Sequence, residues 1–209
     1  MKKKLILATK NTHKITEIKA MLEEFDILSL SDIGFESDIA ETGTTALENA
    51  KIKALAVRKF CNEKGIEYPV IADDSGLYIN ALGGEPGVNS ARYAGDHNDE
   101  ANRQKVLSKM EGKIDRTAYY ECAICYASPS EVKLFKGRTF GEITTEKIGD
   151  ESFCYDCIFY SADLKKTFGE STEEEKDAVS HRGRAIAEFK SWVNNTSNPN
   201  FDRTLKFNK

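Results

Sequence analysis

The sequence has no apolar run of the roughly 20 residues that a membrane-spanning helix needs. It has no excess of positive charge either, because 34 acidic residues outnumber 30 lysines and arginines and give a net charge of −4. A general nucleic-acid-binding protein is usually basic. The basic residues 2–4 precede an apolar run too short for a signal peptide. We therefore expect a cytoplasmic protein that binds neither nucleic acid nor membranes.

Internal repeats and low-complexity linkers are also missing. The 209 residues are 40% hydrophobic and 31% charged, which is enough for one soluble domain with a real core. A polar stretch that contains Pro199 ends the sequence. We expect a single domain over 1–193 and a polar C-terminal tail over 194–209.

Hydrophobic periodicity predicts strands and helices that intermix along the chain, which is typical of an α/β fold with a mixed sheet. The predicted strands are 4–8, 26–30, 69–72, 117–128, 131–137, 141–145 and 155–160, with 128–130 as a hairpin turn. The first predicted helix has one apolar face, formed by Ile15, Ile18, Met21, Leu22 and Phe25. Two more helices are predicted over 45–62 and 98–110, and a last one begins at Ser180.

The segment 8–14 joins the first predicted strand to the first helix. Free backbone N–H groups and the dipole at a helix start favour a phosphate. Lys10 and Lys14 add positive charge to this turn. The alternative is a surface loop with two ordinary lysines, because strand–turn–helix with a lysine is common.

Acidic residues occur near the next helix and strand. Thr45 and Glu48 have the spacing of a capping box, whereas Glu41 lies before the helix and is less easily explained by capping. Asp73 and Asp74 follow an apolar strand, where two adjacent carboxylates persist best if a cation joins them. Asp74 and Glu41 could share Mg²⁺, which takes one or two protein carboxylates plus water and phosphate oxygens. An Asp-rich turn is the alternative.

A third candidate is the start of the last helix. Ser180 precedes His181 and Arg182, so that two cationic side chains stand at a helix N-terminus. This placement opposes the helix dipole. It makes sense if an anion or a carbonyl oxygen binds there, and the alternative is a solvated basic pair.

Six segments in this order resemble the inosine/xanthosine triphosphate pyrophosphatase family, also called the Ham1 family. They read LATKNTHK, ETGTTALENAKIKA, IADDSGLYINALGGEPGVNSARYAG, YDCIFY, KTFGE and EEEKDAVSHRGRA. The third segment is the most specific of them. The resemblance extends from Leu7 to about Phe189 and so covers nearly the whole chain.

The resemblance implies an elongated mixed β-sheet flanked by helices, in two lobes with a central cleft, and a homodimer. It also implies Mg²⁺-dependent hydrolysis of ITP, dITP and XTP to the monophosphate and pyrophosphate. The implied catalytic residues are Asp74, Lys14 and Asp73, with Asp74 as the general base. The implied metal ligands are Glu41 and Asp74.

The resemblance further implies which residues bind the substrate. Those for the triphosphate are Thr9, Lys10, Asn11, Thr12, His13 and Lys14. Ser75 would touch the substrate, and Phe153 would stack on the purine. The other residues implied for the base and phosphates are Cys154, Tyr155, Asp156, Lys176, His181 and Arg182.

The chain departs from the family pattern in the base-pocket segment. The family usually has glycine and proline where this sequence has Cys154 and Cys157. If the glycine position requires a positive φ, Cys154 is strained. The alternative function is therefore a nucleotide-binding protein with an altered base pocket and reduced or changed substrate selectivity.

Two C-x-x-C pairs, Cys122/Cys125 and Cys154/Cys157, could together supply four zinc ligands, and Cys154 and Cys157 could form a redox-sensitive pair. Cys122 and Cys125 lie in a predicted strand, where residues three apart face opposite sides. We therefore favour buried thiols.

Overall fold

The computed structural model describes residues 2–95, 98–150 and 153–195. The strands in these ranges are β1 (Lys3–Leu7), β2 (Phe25–Leu28), β3 (Val70–Ile79), β4 (Pro86–Gly87), β5 (Thr117–Ala127), β6 (Val132–Ile143), β7 (Phe159–Ser161) and β8 (Lys166–Thr167). The α-helices are α1 (Thr12–Met21), α2 (Ala46–Glu63), α3 (Asp99–Lys109), α4 (Glu173–Val179) and α5 (His181–Asn194). Most of the predicted C-terminal tail, from 196 onwards, lies outside the described residues.

The strands form one mixed sheet in the order β2-β1-β3-β5-β6-β7-β8, and β4 pairs with β3. β1 is parallel to both β2 and β3, with Ile6 opposite Leu28 and Val70. The pairs β3/β4, β6/β7 and β7/β8 are antiparallel. The predicted α/β class with a large mixed sheet and flanking helices is confirmed. None of the described helices is long and apolar enough to cross a membrane.

The chain divides into two compact units. The first comprises 1–74, 123–136 and the chain from 185, and the second comprises 75–122 and 137–184. The boundaries fall inside β3, β5 and β6, so each of these strands contributes residues to both units. The division agrees with the expectation of two lobes.

The core of the first unit lies between the sheet and α2. Small side chains recur along one face of α2, at Ala46, Ala50, Ala54 and Val57, and all are fully buried. They pack with strand residues such as Ile6, Val70, Ala72 and Ala123. This spacing places them on one helical face, and their size lets the helix approach the sheet closely.

The core of the second unit is more aromatic. Tyr120 packs against Phe159 and Phe168, with ring centroids 4.8 and 6.3 Å apart. Leu77 and Ile79 of β3 and Val106 and Met110 at the end of α3 belong to the same cluster. This cluster supports the segment before β7, which carries several of the predicted substrate-binding residues.

Several local predictions are confirmed. Thr45 and Glu48 form a reciprocal capping box at the start of α2. Asn98 caps α3 by accepting a hydrogen bond from the backbone N–H of Ala101. Ser180 caps α5, because its Oγ accepts a hydrogen bond from the N–H of Gly183 at 3.0 Å.

Other boundaries were wrong. The first helix ends at Met21, and Phe25 begins β2 instead of extending the helical face, because the chain turns with the N–H of Phe25 bonded to the Leu22 carbonyl at 2.9 Å. The predicted strand 69–72 does not end at Asp73, since β3 continues to Ile79. Pairing of Leu77 and Tyr78 with β4 extends it.

Three further differences concern the second half of the chain. The segments 131–137 and 141–145 form the continuous strand β6, which ends at Ile143. The predicted strand 155–160 is a short 3-10 helix, Asp156–Ile158, followed by β7. The helix α4 was not predicted from periodicity, although Thr172 and Glu175 form a capping box at its start.

Candidate active site

The turn between β1 and α1 is shaped by its own side chains. Asn11 caps α1 by accepting a hydrogen bond from the backbone N–H of Lys14 at 3.1 Å, and the Thr9 hydroxyl accepts one from the N–H of Asn11 at 3.2 Å. Thr12 and His13 are the exposed first residues of the helix. The predicted strand–turn–helix is therefore present, with its helix start open to solvent.

The two lysines of this turn have different partners. The ammonium group of Lys10 lies 2.6 Å from the exposed carboxylate of Asp38. The ammonium group of Lys14 lies 2.9 Å from Asp73 Oδ2, and Asp73 is 1% exposed. Lys14 is therefore held by a buried carboxylate, whereas Lys10 has a solvent-exposed partner.

Glu41 and Asp74 converge on one nitrogen atom. The Nζ of Lys53 lies 2.8 Å from Glu41 Oε1 and 2.8 Å from Asp74 Oδ1. The two carboxylate oxygens are consequently no further apart than twice that distance. We call Lys14, Glu41, Lys53, Asp73 and Asp74 the carboxylate–lysine cluster.

Lys53 and Asn49 are site residues that sequence reasoning missed. Asn49 donates from Nδ2 to Asp74 Oδ2 at 3.5 Å, and its Oδ1 accepts from the N–H of Gly43 at 2.8 Å. A Cβ at Gly43 would lie 2.7 Å from that Oδ1, so this close approach requires glycine. Asn49 and Lys53 lie one helical turn apart among the buried alanines of α2. Polar residues among the mostly apolar buried positions of α2 are the signal that could have found them.

Burial raises the pKa of Asp74, and the nearby Lys53 and Lys14 only partly offset this effect. Burial acts in the opposite direction on Lys53, but the charges of Asp74, Asp73 and Glu41 outweigh it and raise the pKa of Lys53 above its usual value. The cluster thus has a protonated Lys53 beside Asp74, a carboxylate that is a stronger base than an ordinary aspartate.

The donors of the cluster fit Mg²⁺. Within the described ranges no three His, Cys, Asp or Glu side chains form a metal-binding group. Two convergent carboxylates are nevertheless what Mg²⁺ takes from a protein when water and phosphate oxygens complete its coordination.

Structural zinc needs four protein ligands. All five cysteines are free, and all but Cys154 are buried, as the thiol interpretation expected.

The second unit contains the segment Phe153–Asp156. Cys154 has a φ of 45°, which is the left-handed conformation anticipated for a position where the family has glycine. The Tyr155 hydroxyl donates to the Ser90 carbonyl at 2.7 Å. The Asp156 carboxylate lies 2.7 Å from the Lys176 ammonium group, and both side chains are buried.

The remaining predicted substrate residues also lie in this unit. The Lys176 ammonium group lies 4.8 Å from the ring centroid of Phe153. His181 stacks on Tyr120 at 4.6 Å, with the rings 11° from parallel. Arg182, 2% exposed, donates from Nη2 to the Ser75 hydroxyl at 3.4 Å. Phe153, Asp156 and Lys176 therefore form one contact group, and Ser75 and Arg182 form another.

Comparison with known proteins gives consistent matches over most of the chain. The model of the Ham1 family matches residues 5–192. A dITP/XTP pyrophosphatase of Staphylococcus epidermidis is 44% identical over 191 residues, which is 90% of this chain and 95% of that protein. A dITP/XTP pyrophosphatase of Clostridium perfringens is 43% identical over 195 residues, 90% of this chain and 96% of that protein.

Solved structures agree. The structure of the Staphylococcus aureus Ham1 protein matches with a TM-score of 0.82 and 40% identity, covering 92% of this chain and 98% of that one. A HAM1 protein from Coxiella burnetii matches with a TM-score of 0.82 and 35% identity, covering 93% of this chain and 100% of that one.

Proposed function

Because this chain belongs to the Ham1 family, we propose that it hydrolyses the non-canonical purine nucleoside triphosphates ITP, dITP and XTP to the monophosphate and pyrophosphate. The observation that carries the proposal is the convergence of Glu41 and Asp74 on Lys53, beside the contact of Lys14 with Asp73. This arrangement places a carboxylate that can accept a proton beside lysines that can neutralise charge on a polyphosphate.

The turn at 9–14 and the carboxylate–lysine cluster are assigned to the triphosphate. The open N–H groups at the start of α1 and the ammonium group of Lys14 would bind phosphate oxygens. Water attacks the α-phosphorus, a new P–O bond forms, and the bond to the bridging oxygen of pyrophosphate breaks. Asp74 accepts the proton of the attacking water, a role that suits a carboxylate with a raised pKa.

Glu41 and Asp74 would hold Mg²⁺, which would supply charge neutralisation at the phosphate oxygens. Lys14 and Lys53 contribute positive charge of the protein itself, and Asp73 fixes the ammonium group of Lys14. This division explains why two adjacent aspartates are present, since Asp73 contacts Lys14 and Asp74 contacts Lys53.

The second unit's residues are assigned to the purine. Phe153 would stack on the base, and His181 or Arg182 would donate to the oxygen at C6 of hypoxanthine or xanthine. Adenine has an amino group there, which leaves the buried donor unpaired at a cost of about 1–3 kcal/mol. That cost corresponds to roughly tenfold to hundredfold discrimination. Rejection of guanine must involve its 2-amino group, because guanine also carries the C6 oxygen.

The alternative function is a nucleotide-binding protein with reduced or changed selectivity. Its supporting observation is the φ of 45° at Cys154, where a side chain replaces the family's glycine inside the assigned base segment. The thiol would meet a base that approaches the backbone closely. The intact Glu41, Asp74 and Lys14 favour turnover instead.

The deciding experiment offers ITP, dITP, XTP, GTP and ATP with Mg²⁺ and identifies the products. Inosine monophosphate and pyrophosphate from ITP, lost on chelation and restored by Mg²⁺, are the expected result. Orthophosphate would indicate attack at the γ-phosphorus and contradict the proposal. Tight binding of ITP without product would support the alternative.

We also propose a cytoplasmic homodimer. Light scattering after size-exclusion chromatography should give twice the mass of the chain, and the mass of a single chain would contradict this part of the proposal.

A further inference from the structure

Two side chains of α3 form hydrogen bonds with the backbone of Cys154, one with its N–H group and one with its carbonyl group. Asp99 Oδ2 accepts a hydrogen bond from the N–H of Cys154 at 3.0 Å. Arg103 Nη1 donates a hydrogen bond to the Cys154 carbonyl at 2.7 Å. Neither α3 residue belongs to the assigned substrate-binding set. We call Asp99 and Arg103 the α3 clamp.

The clamp acts on a residue whose conformation needs support. Cys154 has a φ of 45°, in the left-handed region that side chains with a Cβ disfavour. Such conformations persist only where the surrounding structure imposes them. Hydrogen bonds to both the N–H and the carbonyl of Cys154 fix the two peptide planes that define this conformation.

Arg103 is itself rigidly placed. Its side chain is 5% exposed, and its Nη2 and Nε lie 3.1 and 3.3 Å from Glu100 Oε2. Glu100 therefore binds one edge of the guanidinium group and leaves Nη1 for the carbonyl of Cys154. A planar donor held in this way sets the position of the carbonyl better than a flexible lysine could.

The clamped residue lies between two assigned base contacts. Phe153 precedes Cys154, and Asp156 follows two residues later. Lys176 joins these neighbours, since its ammonium group lies over the Phe153 ring and 2.7 Å from Asp156. A change in the backbone at Cys154 would therefore turn the ring and the carboxylate relative to each other.

We propose that Asp99 and Arg103 are positioning residues that set base selectivity by imposing the left-handed conformation of Cys154. This inference rests on the proposed function, because it assigns Phe153 and Asp156 to the base. A clamp that only stabilised the fold would change the rates for all nucleotides by the same factor, whereas a positioning role changes their ratio.

The experiment compares Arg103→Met and Arg103→Lys with the wild type. In Arg103→Met we expect kcat/KM for ITP to fall about tenfold, mainly through KM, because a buried hydrogen bond to a charged donor is lost. The value of kcat/KM for ATP should fall less, so the ratio of kcat/KM for ITP to that for ATP decreases. In Arg103→Lys this ratio should lie between those of Arg103→Met and the wild type. Gln104→Ala is the matched control, since Gln104 bonds to the same Glu100 at 2.7 Å but has no assigned contact with the segment.

A double-mutant cycle with Cys154→Gly sharpens the test. Glycine adopts a positive φ without support from its neighbours. Arg103→Met should therefore lower the ratio of kcat/KM for ITP to that for ATP much less in the Cys154→Gly background than in the wild type. Equal costs in both backgrounds, or an equal fall for ITP and ATP, would overturn the proposal.

Thiol chemistry gives a readout that does not need turnover. Of the five cysteines, all within the described ranges, four are buried and Cys154 is partly exposed. Alkylation of Cys154 by iodoacetamide should be several-fold faster in Arg103→Met than in Gln104→Ala, and an unchanged rate would contradict the clamp. A wild type that turns over no nucleotide would instead remove the proposed function and leave this result standing.

Discussion

At the residue scale, the carboxylate–lysine cluster separates two neighbouring aspartates by their partners. Asp73 contacts Lys14 and Asp74 contacts Lys53. Successive side chains of a strand point to opposite faces, and both aspartates lie inside β3. Strand geometry thus gives two adjacent carboxylates different surroundings and, in the proposed function, different roles.

We predict that Asp74→Asn and Lys14→Ala each lower kcat for ITP by orders of magnitude while the fold is retained. Asparagine cannot accept the proton of the attacking water, and removal of Lys14 takes away positive charge at the phosphates. Lys19→Ala is the control, since Lys19 lies on the exposed side of α1 and has no assigned contact with the substrate. Near-normal turnover in a variant would remove that residue from its role.

The pKa of Asp74 leads to a second prediction. A general base works when deprotonated, so kcat/KM for ITP should fall as the pH decreases through the raised pKa of Asp74. In Lys53→Met this acidic limb should move to higher pH, because the positive charge that favours the carboxylate is lost. Steady-state rates measured across the acidic pH range give the acidic limb of the wild type and that of Lys53→Met. A limb at the same pH in the variant would exclude Asp74 as its source.

At the scale of elements, α2 has two functions. Its apolar face packs the core of the first unit, and Asn49 and Lys53 on the same helix reach Asp74. The capping box fixes where the helix begins, because Thr45 bonds to the N–H of Glu48 and Glu48 bonds back to the N–H of Thr45. The start of α2 therefore sets the register that brings Lys53 to the carboxylates.

We predict that Thr45→Ala lowers the free energy of unfolding by about 1 kcal/mol, since the backbone N–H of Glu48 loses its acceptor. Urea denaturation measures the change. Thr42→Ala is the control, because Thr42 is exposed and precedes the capping box. Equal midpoints for the two variants would show that the cap contributes nothing to stability.

At the scale of the molecule, β3, β5 and β6 run through both compact units. Neither unit can lose its part of the sheet without disrupting strands that the other uses. The single tryptophan, Trp192, lies in the first unit, with its ring 5.0 Å from that of Tyr126.

We therefore predict one cooperative unfolding transition. Tryptophan fluorescence, which reports on the first unit, and far-UV circular dichroism, which reports on the whole chain, should give the same denaturation midpoint. Two separated midpoints would show that the units unfold independently.

The sequence by itself determined the features that depend only on residues close together in the chain. Caps such as Thr45 with Glu48, the turn before α1 and the departure at Cys154 are local, and six ordered segments were sufficient to indicate the family. Boundaries such as the end of β3 were wrong, because pairing with β4 extends the strand beyond the apolar run.

Only the tertiary structure decided which side chains meet. Lys53 contacts Asp74 across 21 residues, and Arg103 contacts Cys154 across 51. Periodicity assigns a residue to a face of its own helix or strand, but the partner depends on how the elements pack. The sequence thus predicted candidate residues for the chemistry, and packing decided that Lys53 joins the carboxylates and that Asp99 and Arg103 contact the backbone of Cys154.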